Sequence, residues 1–122
     1  MKFNNAQIYR MTKNITDIFN NFDLYIPVKA NFILSKNIAE IIRLGEEIET
    51  ARLKIASHYG VLDQEKNQYV IPPEKIQEAN QEINDLFAIE QDLDIKMIKL
   101  EDLGNIELTP KQMQALMFMI EE

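Results

Sequence analysis

The chain has no cysteine, one histidine, three glycines and four prolines in 122 residues. Without cysteine there is no disulfide, no thiolate nucleophile and no zinc site built on sulfur, a composition that suits a reducing cytoplasm. The single histidine, His58, has no second His with which to share a metal, and any Ser/His nucleophilic pair has only it as a base. The only serines, Ser35 and Ser57, fall inside a long helical pattern rather than on a sharp turn. No glycine-rich loop exists, which excludes phosphate-cradling and dinucleotide fingerprints. The longest uncharged apolar run, Ala115 to Ile120, is six residues, against the ~18–20 that a membrane span needs. The opening Met1-Lys2-Phe3-Asn4-Asn5 lacks the apolar stretch of a signal peptide. The expectation is a soluble protein with no membrane contact.

An apolar content of 46% with 27% charged residues is that of a globular chain, and the length fits one domain, 1–122. The net charge of −7 is unevenly spread. Residues 1–73 carry nine Lys/Arg against eight Asp/Glu, while residues 74–122 carry four against twelve. An acidic C-terminal half repels phosphates, so no direct nucleic-acid binding is expected. It suits either a basic protein surface or plain solubility.

The periodicity predicts a fold that is mainly α with a minor β element. Ile8, Met11, Ile15, Ile18, Phe19 and Phe22 recur at three- and four-residue steps, which marks a helix over 5–22. Pro27 then disfavours helix at Ile26. A second helix, 29–59, carries the seam Leu34, Ile38, Ile41, Gly45, Ile48, Arg52, Ile55 and Tyr59. Its alternating steps of four and three are those of a helix packed lengthwise on another. Gly45 predicts close backbone approach and Arg52 a snorkelling side chain, with Gly60 as the left-handed closing residue. Residues 60–72 read as a polar exposed loop. Pro73 and Glu74 open a third helix, 73–90. With the second it forms a long antiparallel helical hairpin. Two short strands, 94–100 and 106–108, pair as a β-hairpin around Gly104. Thr109, Pro110 and Gln112 form the start of a last helix, 110–121.

Carboxylates offer the only candidate chemistry. Glu46, Glu47 and Glu49 cluster on the second helix, and Asp92 and Asp94 precede the first predicted strand. Glu78, Glu82 and Asp85 stand at i, i+4 and i+7, a spacing open to a metal stripe or a solvated acidic face. The Glu-x-x-His pair of di-iron bundles is missing, so the solvated face is preferred. No catalytic, cofactor-binding or metal residue is assigned. The last helix carries Met113, Leu116, Met117 and Ile120 on one face, with Ala115, Phe118 and Met119 on others. A helix apolar nearly all round is either buried between elements or exposes an adaptable Met/Phe patch. The second alternative makes Phe118 and Met119, with Glu78, Glu82 and Asp85, the expected partner-binding residues. It predicts that Phe118→Asp leaves a folded protein with weakened binding.

Short segments spread along the chain resemble a family of small uncharacterised proteins of phages and prophages of Gram-positive bacteria. They are Ile26-Pro27-Val28-Lys29, Ser35-Lys36-Asn37, Ala51-Arg52, Tyr59-Gly60, Asn67-Gln68-Tyr69-Val70-Ile71-Pro72, Asp94-Ile95-Lys96, Ile98-Lys99-Leu100 and Leu108-Thr109-Pro110. The resemblance implies a phage or prophage origin and a place in the host bacterial cytoplasm, and brings no functional residues. The expected function is that of a non-enzymatic accessory protein that binds a host or phage protein stoichiometrically. Two roles stay open: inhibition of a host protein such as an antiviral defence enzyme, and virion or tail assembly. Self-association through the long helix is a further alternative, and the oligomeric state is left undetermined.

Overall fold

The computed structural model describes residues 1–19 and 25–121, apart from the side chains of Ile18 and Phe19. The fold is mainly α with a minor β element. Helix α1 (Asn5–Phe19) begins on a reciprocal cap. Asn4 Oδ1 accepts the Gln7 backbone N–H at 2.8 Å, and Gln7 Oε1 accepts that of Asn4 at 2.9 Å, which satisfies two donors the first turn leaves over. Residues 20–22 of the expected first helix, with Phe22 of its apolar face, lie outside the described residues.

Helix α2 (Val28–Tyr59) is the spine of the molecule, 32 residues and so about 48 Å long. Its seam behaves as the spacing predicts in the N-terminal two-thirds, where Leu34, Ile41, Gly45 and Ile48 are buried. A Cβ on Gly45 would lie 2.7 and 2.9 Å from Thr12 Cγ2 and Cβ, so the missing side chain is what lets α1 approach. Gly60 differs from expectation. Its φ of −114° and ψ of 174° are extended, not left-handed. Glycine is required there by space, because a Cβ would meet the Ala56 carbonyl oxygen at 2.8 Å and that of Val70 at 3.1 Å.

The polar loop expected over 60–72 is a β-hairpin. Strands β2 (Val61–Asp63) and β3 (Gln68–Val70) pair antiparallel with Val61 opposite Val70 and Leu62 opposite Tyr69. Asp63 Oδ1 accepts the Glu65 N–H at 3.1 Å, and Asn67 takes the left-handed conformation that closes the turn. A 3-10 turn, Pro73–Lys75, leads into α3 (Ile76–Ala88).

Helices α3 and α1 follow one another along α2, both antiparallel to it. Tyr59 near the end of α2 faces Glu78 and Glu82. Farther back, the Phe87 ring meets that of Tyr9 at 5.5 Å, and the Tyr9 hydroxyl donates to Glu49 at 2.7 Å. Thr12 then reaches the Ile41 carbonyl at 3.2 Å. Buried Asn5 splices the two shorter helices: its N–H donates to Ile89 O and its Nδ2 to Leu86 O, each at 2.9 Å. Its Oδ1 accepts from Gln91 Nε2 at 2.7 Å. Beside this junction β1 (Lys2–Asn4) pairs antiparallel with β4 (Glu90–Asp92), a ladder the sequence pattern did not suggest.

The predicted hairpin of 94–100 with 106–108 does not form. Only β5 (Ile98–Lys99) is extended there, and it pairs in parallel with β6 (Ile120–Glu121). The reason is the side chain of buried Asn37 on α2. Its Nδ2 donates to Lys96 O at 2.8 Å and its Oδ1 accepts the Lys96 N–H at 3.1 Å. One amide thus takes the place of a neighbouring strand and anchors the segment to the spine. The last helix is also shorter than expected. Helix α4 (Pro110–Leu116) starts on the predicted Thr109/Gln112 capping box but gives way to a 3-10 turn, Met117–Met119, before β6. The changes of direction let apolar residues on several sides of the segment be buried together. Leu116 and Met119 enter the core with Ile8, Ile41, Leu93 and Ile98, while Ile120 sits opposite Ile98.

Candidate protein-binding surface

Burial is concentrated at one end of the spine. After Ile48 the only fully buried residue of α2 is Ala56, and the only one of α3 is Ala79. The C-terminal third of α2, the β2–β3 hairpin and most of α3 therefore make a thin arm projecting from the core-bearing body. A thin arm cannot hide its apolar side chains. Leu53, Leu62 and Tyr69 are 42%, 45% and 39% exposed, and Val61 and Val70 on the opposite face of the hairpin are 70% and 55% exposed. Strand alternation explains the two faces. Leu62 and Tyr69 turn toward α2 and, with Leu53, Ala56 and the stem of Arg52, line a groove of about 570 Å³.

The arm also carries acid. Helix α3 holds Glu78, Glu82 and Asp85 and neither Lys nor Arg, and none of the three forms an ion pair among the described residues. Asp85 accepts from Gln81 Nε2 at 2.9 Å. The Glu82 carboxylate beside the Tyr59 hydroxyl, with some desolvation and the nearby Glu78 charge, holds the Tyr59 phenol above its ordinary value. The metal-stripe alternative has no convergent ligand set: no group of three or more His, Asp or Glu among the described residues is arranged to hold an ion.

Where arm meets body, a polar clasp ties α1 to α2. Arg52 donates to Glu49 through Nε at 2.9 Å and through Nη2 at 2.6 Å, and Tyr9 binds the same carboxylate. The Arg52 hydrogen bond is the main reason that Glu49 is held below the usual carboxylate range. Arg52 therefore pairs as well as snorkels.

The expected partner-binding residues separate. Glu78, Glu82 and Asp85 are exposed on the arm, but Met119 is 0% exposed in the core. Phe118 is half-buried, with its ring edge-on to Phe3 at 5.9 Å. Met119 is thus corrected to core packing, because a side chain with no exposed surface contacts nothing outside, whereas Phe118 packs on the core with part of its surface open and Met117 stands out to solvent. The hairpin side chains were missed because an exposed run rich in Asp, Gln, Glu, Lys and Asn masked the short strands flanking it. The usable signal was Val61-Leu62 and Tyr69-Val70 on either side of turn-forming Asp63 and Asn67.

A second exposed apolar set, Tyr25, Val28 and Phe32, stands at the start of α2. It is basic rather than acidic in setting, with Lys36 Nζ 4.9 Å from the Phe32 ring centroid, and it adjoins residues 20–24. No helix among the described residues is long and apolar enough to cross a membrane.

Known proteins give no guide. No family model, curated protein or solved structure matches the chain.

Proposed function

We propose that the chain is a non-enzymatic, phage-encoded accessory protein of the host bacterial cytoplasm that binds another protein stoichiometrically, and that its role is to inhibit a host protein such as an antiviral defence enzyme. The observation that carries the binding reading is the arm: it exposes Leu53, Val61, Leu62, Tyr69 and Val70, and its helix α3 bears three exposed carboxylates that form no ion pair among the described residues. Isolated exposed apolar residues need no explanation, but a cluster rimmed by charge is the composition of an interaction surface. The arm continues α2 without a break, which lowers the ordering cost of presenting it. The phage origin is supported by the resemblance of the short segments quoted above.

Affinity capture of the tagged full chain from a phage-infected Gram-positive host tests this reading. The expected result is one host enzyme recovered in equimolar amount, its activity falling as the purified chain is titrated in. Recovery of virion structural proteins instead would shift the role to assembly. Recovery of nothing above a mock capture would refute protein binding.

A further inference from the structure

We infer that the chain associates with itself head to tail, the start of α2 in one copy seating in the cleft between the end of α2 and α3 in the next. Tyr25, Val28 and Phe32 are among the most exposed large apolar side chains of the described residues, Phe32 at 63%. Val28, Phe32 and Lys36 follow one another at helical i, i+4 steps and so form one exposed stripe. Lys36 Nζ lies 4.9 Å from the Phe32 ring centroid, and exposed Lys29 adds a second positive charge. Neither lysine forms an ion pair among the described residues. Of the acids near this end, Glu40 is held by Arg43 at 2.9 Å, Glu101 shares a pocket with Lys99, and Asp102 is half-buried.

The opposite end of the spine carries the counterpart. Tyr59, Glu74, Gln77, Glu78 and Gln81 line a cleft of about 450 Å³ between α2 and α3, and Glu82 stands beside the Tyr59 hydroxyl. Residues 74–85 hold four carboxylates and one cation, Lys75. A phenylalanine ring entering this cleft meets Tyr59, and the lysine carried on that ring meets Glu74 and Glu78. One insertion thus satisfies the aromatic and the charged part together.

The two surfaces cannot meet within one chain. From Phe32 to Tyr59 is about 40 Å along α2 and about seven and a half turns, which puts them at opposite ends and on opposite sides of the spine. For the same reason two copies lying side by side cannot close both contacts at once. Each contact leaves one basic face and one acidic cleft unused, the condition for heterologous association that grows. The net charge of −7 on each copy opposes approach at long range. Charges more than about 8 Å apart are largely screened at physiological salt, whereas the lysine–carboxylate contacts lie at the interface itself.

Self-association of this kind is independent of the host partner proposed above, and the purified full chain alone tests it. Sedimentation is expected to show an average mass that rises with concentration, with an association constant that falls at least about tenfold from low to high salt. Amide shifts at both Phe32 and Tyr59 are expected to move over the same concentration range. F32S/K36Q and E78Q/E82Q change exposed positions, and each is expected to stay monomeric with the wild-type circular dichroism. Mixed in equal amounts, they are expected to form a 1:1 dimer that grows no further, because one keeps the acidic cleft and the other the basic face. If either variant unfolds, the salt series and shift map of the unaltered chain decide. A wild-type chain that stays monomeric up to about 1 mM would overturn the proposal. So would association that strengthens with salt, shifts that spare Phe32 or Tyr59, or a symmetric dimer untouched by either pair of substitutions.

Discussion

Replacing Gly45 with alanine tests how α1 sits on the spine. In a solvent-exposed helix the change would stabilise by about 1 kcal/mol, since glycine is that much the poorer helix former. Here the new methyl group would lie 2.7 Å from Thr12 Cγ2 and 2.9 Å from Thr12 Cβ, against about 3.5–4.0 Å for carbon atoms in contact. The overlap with Cβ cannot be relieved by a rotamer change, because that atom is fixed to the α1 backbone. Relief requires moving α1 outward, which loosens Ile8 and Ile15 in the core. Overpacking of this kind costs about 1–3 kcal/mol. With the overlap at a backbone-fixed atom we take the upper part of that range, and the net expectation is destabilisation by about 1–2 kcal/mol after the helix gain. Urea unfolding followed by circular dichroism measures it, and the melting temperature should fall about 4 °C per kcal/mol. In a Thr12→Ala background, where Oγ1 and Cγ2 are gone, the cost of Gly45→Ala should shrink by about 1 kcal/mol. A Gly45→Ala protein as stable as wild type, or more so, would refute the close approach.

Three further outcomes are expected. Phe118→Asp should lose about 2–4 kcal/mol by urea unfolding, because it removes a ring packed on Phe3 and the core and puts a carboxylate in its place; an unchanged midpoint would return Phe118 to the surface. Asn37→Ala should cost about 2–3 kcal/mol, since it strands the Lys96 N–H and C=O, and exchange at the Lys96 amide should accelerate. The Glu49 clasp should make stability depend on pH at both ends. Its carboxyl is held below its ordinary value chiefly by Arg52, so its contribution is present above that value and is lost as pH falls through the lowered folded one. Tyr9 is held above its ordinary value chiefly by the hydrogen bond to Glu49, so its contribution is present below that value and is lost as pH rises through the raised folded one. Glu49→Gln should flatten the acid limb and Tyr9→Phe the alkaline limb of stability against pH; limbs identical to wild type would show the clasp to be idle.

The helices were legible because each buries a stripe with the helical period, and the α2 seam, the Gly45 approach and the Thr109 cap all follow from local spacing. What spacing could not show are contacts between distant parts of the chain. Asn37 reads as a polar interruption on a helix, and nothing local says that its amide will occupy the backbone of Lys96. The parallel pairing of β5 with β6 joins segments twenty residues apart with α4 between them, so the nearer 106–108 looked the better partner. Ladders of two or three residues, as in β1 with β4, are too short to print alternation on a sequence. For the candidate site, the acidic residues of α3 could be named because charge is visible residue by residue. The apolar part was sought in the most hydrophobic segment, Ala115 to Ile120. That segment turns Leu116 and Met119 into the core and leaves only Met117 well exposed, whereas the less hydrophobic hairpin sits where little covers it.

The most direct measurement is the affinity of the captured partner for two variants of equal stability, L62S/Y69S on the arm and Met117→Ser on the exposed side of the C-terminal segment. Binding should weaken at least about tenfold with the first and stay at the wild-type level with the second. Loss with Met117→Ser and none with L62S/Y69S would place the contact on the body and contradict a binding arm.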